Sequence, residues 1–235
     1  MSAKLSKIQV RPDLVDQVYT MLLDAISDGS LAPGARITQE EIAEQMSVSR
    51  SPVLQALRLL KRDGLVQDAP GRGILIAELD PRWIGNIYQV RGALDSLAAR
   101  LAAEAKFDIG RDIIDVGRKA ARSKDVKAMI DADIAFHSAI YLASGNRLIV
   151  ETTQVHWMHL RRVMGAALQS NARREASWDE HEAIANAIAS GDVVLAGELS
   201  EKHAAVACQH LLSRLNEVLS SDNTPEFQRA APQAL

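Results

Sequence analysis

Residues 38–64, TQEEIAEQMSVSRSPVLQALRLLKRDG, decide the reading of the amino-terminal part of the chain. Thr38 is followed three residues later by Glu41. This is the pattern of a capping box, in which hydroxyl and carboxylate each accept from a free amide at a helix start. It predicts a short helix carrying Ile42 and Met46. Val48 falls in the connection, Ser49 or Ser51 can cap a second helix, and Pro52 fits its first turn. That second helix, residues 49–62, has Val53, Leu57 and Leu60 on its apolar face and stops near Asp63-Gly64. Upstream, Val15, Val18, Tyr19, Leu22 and Ile26 lie at helical spacing, with Gly29 as a stop and Pro33-Gly34 as a turn. Downstream, residues 65–67 and 73–76 flank Asp68-Ala-Pro-Gly-Arg72, a hairpin tip. Three helices followed by a β-hairpin make a winged helix-turn-helix.

Such a unit suits DNA. Its second helix can lie in the major groove with its N-terminal residues facing base edges. The amides at that helix start favour a phosphate. Arg72, between Gly71 and Gly73, can enter the neighbouring minor groove. Across residues 50–72, Arg50, Arg58, Lys61, Arg62 and Arg72 outnumber Asp63 and Asp68. A cluster of this kind also occurs as a plain solvated face, and a winged helix can serve as a protein-binding module.

The whole chain has 235 residues and a net charge of −3, so it is not a polycation, and binding to nucleic acid would depend on where the charge sits. With 47% hydrophobic and 24% charged residues, disorder throughout is excluded. Aromatics reach only 4%, which favours Ala- and Leu-rich helices over aromatic-rich strands. Cys208 is the single cysteine and can form no internal disulfide, which suits a reducing compartment. The start lacks the apolar stretch of a secretory signal. The longest run without Asp, Glu, Lys or Arg is 13 residues, 134–146, short of the ~20 that a membrane span needs. The expectation is a cytoplasmic protein.

At Asp80-Pro81 the pattern changes to helices only, with Asp80 as cap and Pro81 in the first turn. Apolar stripes follow: Ile84, Ile87, Leu94, Leu97 and Leu101 with Arg91 among them, then Ile109, Ile113 and Val116, then Met129, Phe136 and Ile140. Residues 148–168 form another. Ser177-Trp-Asp-Glu180 reads as a second capping box, and Asp192 caps a last helix with Leu195, Leu199, Val206 and Leu211. The expected domains are a loose terminus at 1–11, the winged helix-turn-helix at 12–78, a six- or seven-helix bundle at 79–220 and a loose tail at 221–235. The fold class is mainly α.

All six histidines lie in the bundle part. Asp133 and His137 are four apart and share a helix face beside the apolar stripe, as His181 and His203 do on their own helices. Buried polar groups need partners. One divalent ion, Zn²⁺ or Ni²⁺, would satisfy a carboxylate and three imidazoles together. A core histidine that is simply hydrogen-bonded is the plainer reading of each. His156 and His159 form a rival pair at i, i+3, and His210 lies one heptad after His203.

These motifs together resemble the GntR superfamily of bacterial transcription regulators, in the branch whose sensor is an FCD domain. The amino-terminal match runs through Gly29-Ser-Leu-Ala-Pro-Gly34, Glu41-Ile-Ala43, Val48-Ser-Arg-Ser-Pro-Val53, Gly64-Leu65-Val66 and Arg72-Gly73. The carboxy-terminal match runs through Arg91-Gly-Ala-Leu94-Asp95, Asp133-Ile-Ala-Phe-His137, Ser144-Gly-Asn146, Glu180-His181, Gly191-Asp192 and His203. The resemblance implies a homodimer on double-stranded operator DNA, a repressor controlled by a small carboxylate effector, and Asp133, His137, His181 and His203 as metal ligands. It implies Arg50 as the operator-reading arginine, Ser49 and Ser51 as phosphate contacts, and Gly71 and Arg72 as the wing. Arg58 lies on the same helix as a further DNA contact. Arg91, Asn146 and Arg161 are candidate effector contacts; for Arg91 the rival reading is an ion pair with Asp95.

The chain departs from the family in three places. Leu54-Gln55 replaces the common Arg-Glu, Ser47 stands where Gly is usual in the bend, and Asp95 replaces Glu. Two other classes remain against the regulator: a metal-dependent enzyme using the Asp/His cluster, and a helical interaction module.

Overall fold

The computed structural model describes residues 14–123, 125–167 and 174–222. The chain divides after Leu79 into two compact units. The first holds α1 (Leu14–Ser27), β1 (Arg36–Ile37), α2 (Gln39–Gln45), α3 (Arg50–Arg62), β2 (Val66–Asp68) and β3 (Ile74–Ile76). Its core is Val18, Leu22 and Ile26 of α1 with Val53, Leu57 and Leu60 of α3, all buried as their spacing predicts. The capping box at α2 is complete: Thr38 Oγ1 accepts from the Glu41 amide at 3.2 Å, and Glu41 Oε2 accepts from the Thr38 amide at 2.7 Å.

Two expectations need correction in this unit. Ser49 occupies the N-cap position of α3 in extended backbone, yet its hydroxyl caps no amide of the helix. The hairpin is also joined by a third strand. β1 pairs antiparallel with β3, giving the order β1-β3-β2 with Arg36 opposite Leu75 and Val66 opposite Ile76. A strand of two residues is too short to show alternation, so the sequence carries no sign of it.

The second unit consists of six described helices: α4 (Pro81–Glu104), α5 (Arg111–Arg122), α6 (Val126–Ala143), α7 (Arg147–Ala167), α8 (Arg174–Ser190) and α9 (Val193–Asp222). Asp80 caps α4 through the Arg82 amide, with Pro81 in its first turn, and Asp192 Oδ1 accepts from the Leu195 amide at 3.0 Å. α4 and α9 pack through small residues. Ala98, Ala99, Ala102 and Ala103 are buried, and a Cβ on Gly92 would lie 3.5 Å from that of Ala204.

This corrects part of two apolar stripes: Ile84, Ile87 and Ile109 are buried, but Leu97 and Val116 are not. Leu97 is 43% exposed and Val116 60%, because the close helix contacts select alanine and glycine faces instead. On α5 the buried set is Ile114, Gly117, Ala120 and Ala121. Gly117 is required there, since a Cβ would fall 1.9 Å from the Trp178 ring. α8 already includes Arg174, so Ser177 lies within the helix and the second capping box does not form its start. α9 continues to Asp222, past the expected tail boundary. Residues 1–13 and 223–235, where loose ends were expected, and residue 168 lie outside the described part. No described helix is long and apolar enough to cross a membrane.

Candidate functional site

Three helices of the second unit converge on a cluster of imidazoles. His137 comes from the middle of α6, His181 from α8 and His203 from α9, and all three are buried. One ligand-type atom from each lies within 4.8 Å of the others. His181 Nε2 is 3.1 Å from His203 Nε2, close to the separation of about 3.3 Å that two nitrogens ~2.0–2.1 Å from one tetrahedral ion adopt. Asp133 Oδ1 approaches His181 Nε2 at 3.5 Å, and its side chain keeps 17% exposure. Three of the four sequence candidates are therefore gathered into one cluster, and Asp133 borders it at His181.

The rings are fixed by aromatic walls. Phe136 stacks on His181 with centroids 4.2 Å apart, and Trp178 meets the same ring edge-on at 4.6 Å. Two carboxylates meet the other ring nitrogens. Glu180 Oε2 is 2.7 Å from His203 Nδ1, and Asp95 Oδ2 is 3.7 Å from His137 Nδ1. A carboxylate that takes the Nδ1 proton fixes the tautomer and leaves Nε2 as the free donor atom. These two acids were quoted only as part of a motif or as a partner of Arg91, because a supporting carboxylate has no spacing rule of its own.

The charge state suits a cation. Burial, with smaller contributions from the Arg91 guanidinium and the neighbouring histidines, holds His137 and His181 well below the ordinary imidazole range. Metal ligands must be unprotonated, so this environment removes one cost of binding. Burial raises Asp133, with Arg91 and His203 opposing. His137 Nε2 and His181 Nδ1 are buried without a hydrogen-bond partner, which is unusual for polar atoms in a native core. The donor set, the neutrality of His137 and His181 and the orphaned His137 Nε2 fit a borderline divalent ion.

Arg91 of α4 is 2% exposed, with its guanidinium carbon 4.2 Å from the centroid of the Trp157 ring. Its Nε lies 3.2 Å from Asp95 Oδ2, so the ion pair weighed as the rival reading is present. Alignment is poor: neither Nε nor Oδ2 completes a hydrogen bond, while Asp95 Oδ1 accepts from Tyr141. Burial opposes the guanidinium charge, yet Asp95 and the tyrosines hold it firmly protonated. Arg91, Asp95 and His137 are thus contiguous.

The remaining effector candidates sit elsewhere. Asn146 Oδ1 accepts from the Leu148 amide at 3.1 Å and so caps α7. Arg161 pairs with Asp131 on α6. Of the other histidines, His159 is buried with its ring 6.1 Å from that of Trp83, and neither it, His156 nor His210 joins the cluster.

In the first unit, α2, α3 and the wing enclose a concave face. Arg50, Arg58 and Arg72 contribute to it, together with Glu40, Leu54 and Lys61. Arg50 Nη1 is 3.0 Å from Glu40 Oε1, and both side chains are exposed. Gln39 Nε2 donates to the Arg50 carbonyl at 2.6 Å, which ties α2 to the start of α3. Ser49 and Ser51 are exposed at that start. The wing tip turns through Gly71 at φ +87° and Gly73 at φ +94°, backbone that L side chains resist. Arg36, on the unforeseen strand β1, donates to the Arg72 carbonyl and adds a cation to the wing base.

Comparison with known proteins agrees with this architecture. Residues 14–76 match the model of the bacterial regulatory proteins of the gntR family, and residues 86–206 match the FCD domain. An uncharacterized HTH-type transcriptional regulator in an unstable DNA locus of Streptomyces ambofaciens is 30% identical, over 79% of this chain and 80% of its own. A protein of Paenarthrobacter nicotinovorans named "Probable D-xylose utilization operon transcriptional repressor" is 25% identical, over 85% and 89% respectively. The structure of E. coli McbR/YncC superposes with a TM-score of 0.72, covering 92% of this chain and 100% of that one at 22% identity, and shares the fold. These families are regulators and not enzymes. The chain is a transcriptional regulator of the GntR family that carries an FCD domain.

Proposed function

We propose that this regulator is a repressor whose hold on operator DNA is set by a small carboxylate bound beside a divalent metal in the FCD domain. The observation that carries the reading is the convergence of three buried imidazoles from three helices within 4.8 Å, two of them, His137 and His181, held neutral by burial. Asp133, His137, His181 and His203 would hold the ion, with Zn²⁺ or Ni²⁺ suited to three nitrogens and one oxygen. When bound, the ion supplies positive charge and open coordination positions to a carboxylate. Glu180 orients His203 through a hydrogen bond, and the Asp95 carboxylate lies 3.7 Å from His137 Nδ1 as a nearby charge. Arg91 supplies a buried guanidinium with an unused Nε–H next to this cluster, the chemistry that grips the far end of a carboxylate. With Asn146 and Arg161 occupied in other contacts, Arg91 is the stronger of the three effector candidates.

Arg50, with Ser49, Ser51 and Arg58 on α3, would face the major groove, and Gly71 and Arg72 of the wing the minor groove. Trp83, Val90 and Leu97 are exposed on α4 at seven-residue spacing. That apolar stripe supports a homodimer through the FCD domain. The Paenarthrobacter relative's printed name supports repression rather than activation.

Metal analysis tests the core of this reading. Purified protein should carry about one equivalent of divalent metal, and His181→Ala none; stoichiometric metal in that variant would overturn the ligand assignment. A thermal-shift screen of small organic acids, with and without chelator, then identifies the effector class, since a ligand of the folded state raises the midpoint by mass action.

A further inference from the structure

Leu54 is 38% exposed in the middle of a charged concave face. It follows Arg50 and precedes Arg58 by four residues, so the three side chains form one row along the outer face of α3. The fold does not need Leu54 there. The helix is anchored by Val53, Ala56, Leu57 and Leu60 on its opposite face, all buried. An isobutyl group on a surface that closes over DNA must meet something apolar or lose its hydration without return. Of the groups on base edges in the major groove, the C5-methyl of thymine is the apolar one.

We propose that Leu54 reads a thymine methyl in the operator, beside the guanine that Arg50 is chemically suited to read. The inference rests on α3 being the groove-bound helix. Four residues of helix advance about 6 Å and a base step about 3.4 Å, so the thymine lies within about two base pairs of that guanine. Arg50 is free to turn to that guanine, because its pair with Glu40, 3.0 Å from Arg50 Nη1, is exposed on both sides and DNA can displace it.

The test uses the full-length protein, loaded with its metal, to select binding sites from a random duplex library. Each thymine of the selected site is then replaced, one at a time, by deoxyuridine, which removes only the methyl group. One such replacement, near the preferred guanine, should weaken binding about fourfold, the factor that burial of one methyl carries. The Leu54→Ala protein, whose side chain is too short to reach, should bind both duplexes alike, with an unchanged thermal midpoint. The inference is overturned if no deoxyuridine changes the affinity of the unaltered protein, or if Leu54→Ala shows the same loss. Selection of no preferred site at all would remove the groove-bound assignment of α3 itself, a failure distinct from that of Leu54.

Discussion

The arginines Arg50 and Arg91 show how differently the two units use charge. Arg50 pairs with Glu40 at 3.0 Å with side chains 68% and 57% exposed, whereas Arg91 approaches Asp95 at 3.2 Å with both nearly inaccessible. An exposed pair is worth about 0–1 kcal/mol and is screened by salt, so a nucleic acid can displace it readily. A buried pair has lost its hydration, and removing one partner strands the other in a medium that cannot solvate it. The first unit keeps its chemistry exchangeable and separate from its core. In the second unit the chemistry is the core: His137, His181 and His203 are packed as tightly as Phe136 beside them. Substitution at the surface face should therefore change binding and spare the fold, and substitution in the cluster should change both.

The largest effect is expected from Arg91→Ala. It leaves Asp95 buried with Tyr141 as its remaining close partner and empties the space against Trp157, at a cost of about 3–5 kcal/mol in urea unfolding. Replacing both partners, Arg91→Met with Asp95→Leu, should recover most of that loss. A single variant as stable as the parent would show that the pair is not isolated from water and would break the contrast with Arg50.

A second test uses pH on protein stripped of metal. In the folded state His137 and His181 are held well below the usual imidazole value by burial, while in the unfolded chain they titrate near about 6.5. Below that value the unfolded chain takes up protons that the fold refuses. Their stabilising contribution is therefore complete above pH ~6.5 and is lost as pH falls toward the depressed folded values. The slope approaches about 1.4 kcal/mol per pH unit for each histidine, about 2.7 for the two together. Asp133, shifted upward, acts in the opposite sense at lower pH as it takes its proton. Urea unfolding in chelator between pH 7.5 and 5.5 measures this, and His181→Phe should reduce the slope toward that of one histidine. A flat profile would mean that the cluster opens to water.

On the surface face, Arg50→Ala should weaken operator binding by about 1–3 kcal/mol while shifting unfolding by less than about 0.5 kcal/mol. Fluorescence anisotropy on a selected duplex and a thermal melt together decide it. Equal losses in both would mean that Arg50 is structural after all.

What could be read in advance follows the same division. The first unit was legible because local rules dominate it: the Thr38/Glu41 capping box, the Pro33-Gly34 turn and the Val53/Leu57/Leu60 face all act within a few residues. Of its two surprises, the non-capping Ser49 hydroxyl and β1, the second is a two-residue strand held by β3 from a distance in sequence. In the bundle each helix could be located, and Met129, Phe136 and Ile140 mark the buried face of α6 as their spacing predicts, but the faces of α4 and α5 were read only in part. Leu97 and Val116 carry the strongest apolar signal and are exposed, while Ala98, Ala99 and Gly117 are buried, because helix approach distance rewards small side chains that hydropathy undervalues. The imidazoles are legible from the Asp133/His137 spacing, their places beside apolar stripes and the family resemblance. Their convergence from α6, α8 and α9, and the support of Glu180 and Asp95, depend on packing that no spacing within one helix encodes.

The smallest predicted effect compares two helix ends within the first unit. α2 and α3 stop in the same hydrogen-bonded form. At α2 the Val48 amide donates to the Ala43 carbonyl at 3.0 Å and the Ser47 amide to Glu44 at 3.1 Å; at α3 the Leu65 amide donates to Leu60 at 2.9 Å and the Gly64 amide to Lys61 at 3.1 Å. The form requires a left-handed residue just past the cap. At α3 it is Gly64 with φ +72°, but at α2 it is Ser47 with φ +53°. A Cβ in this region costs roughly 1–2 kcal/mol, and glycine returns part of that gain through its freer unfolded chain. Ser47→Gly should therefore stabilise the protein by about 0.5–1 kcal/mol, and Gly64→Ser destabilise it by a similar amount, both read as shifts in the urea midpoint. Ser47 is exposed and lies two residues before Ser49, so the same substitution should leave affinity for a selected duplex unchanged. A loss of affinity in Ser47→Gly would show that the bend is tuned for the angle between α2 and α3 rather than tolerated as strain, and would place a residue of the first unit's scaffold among its binding determinants.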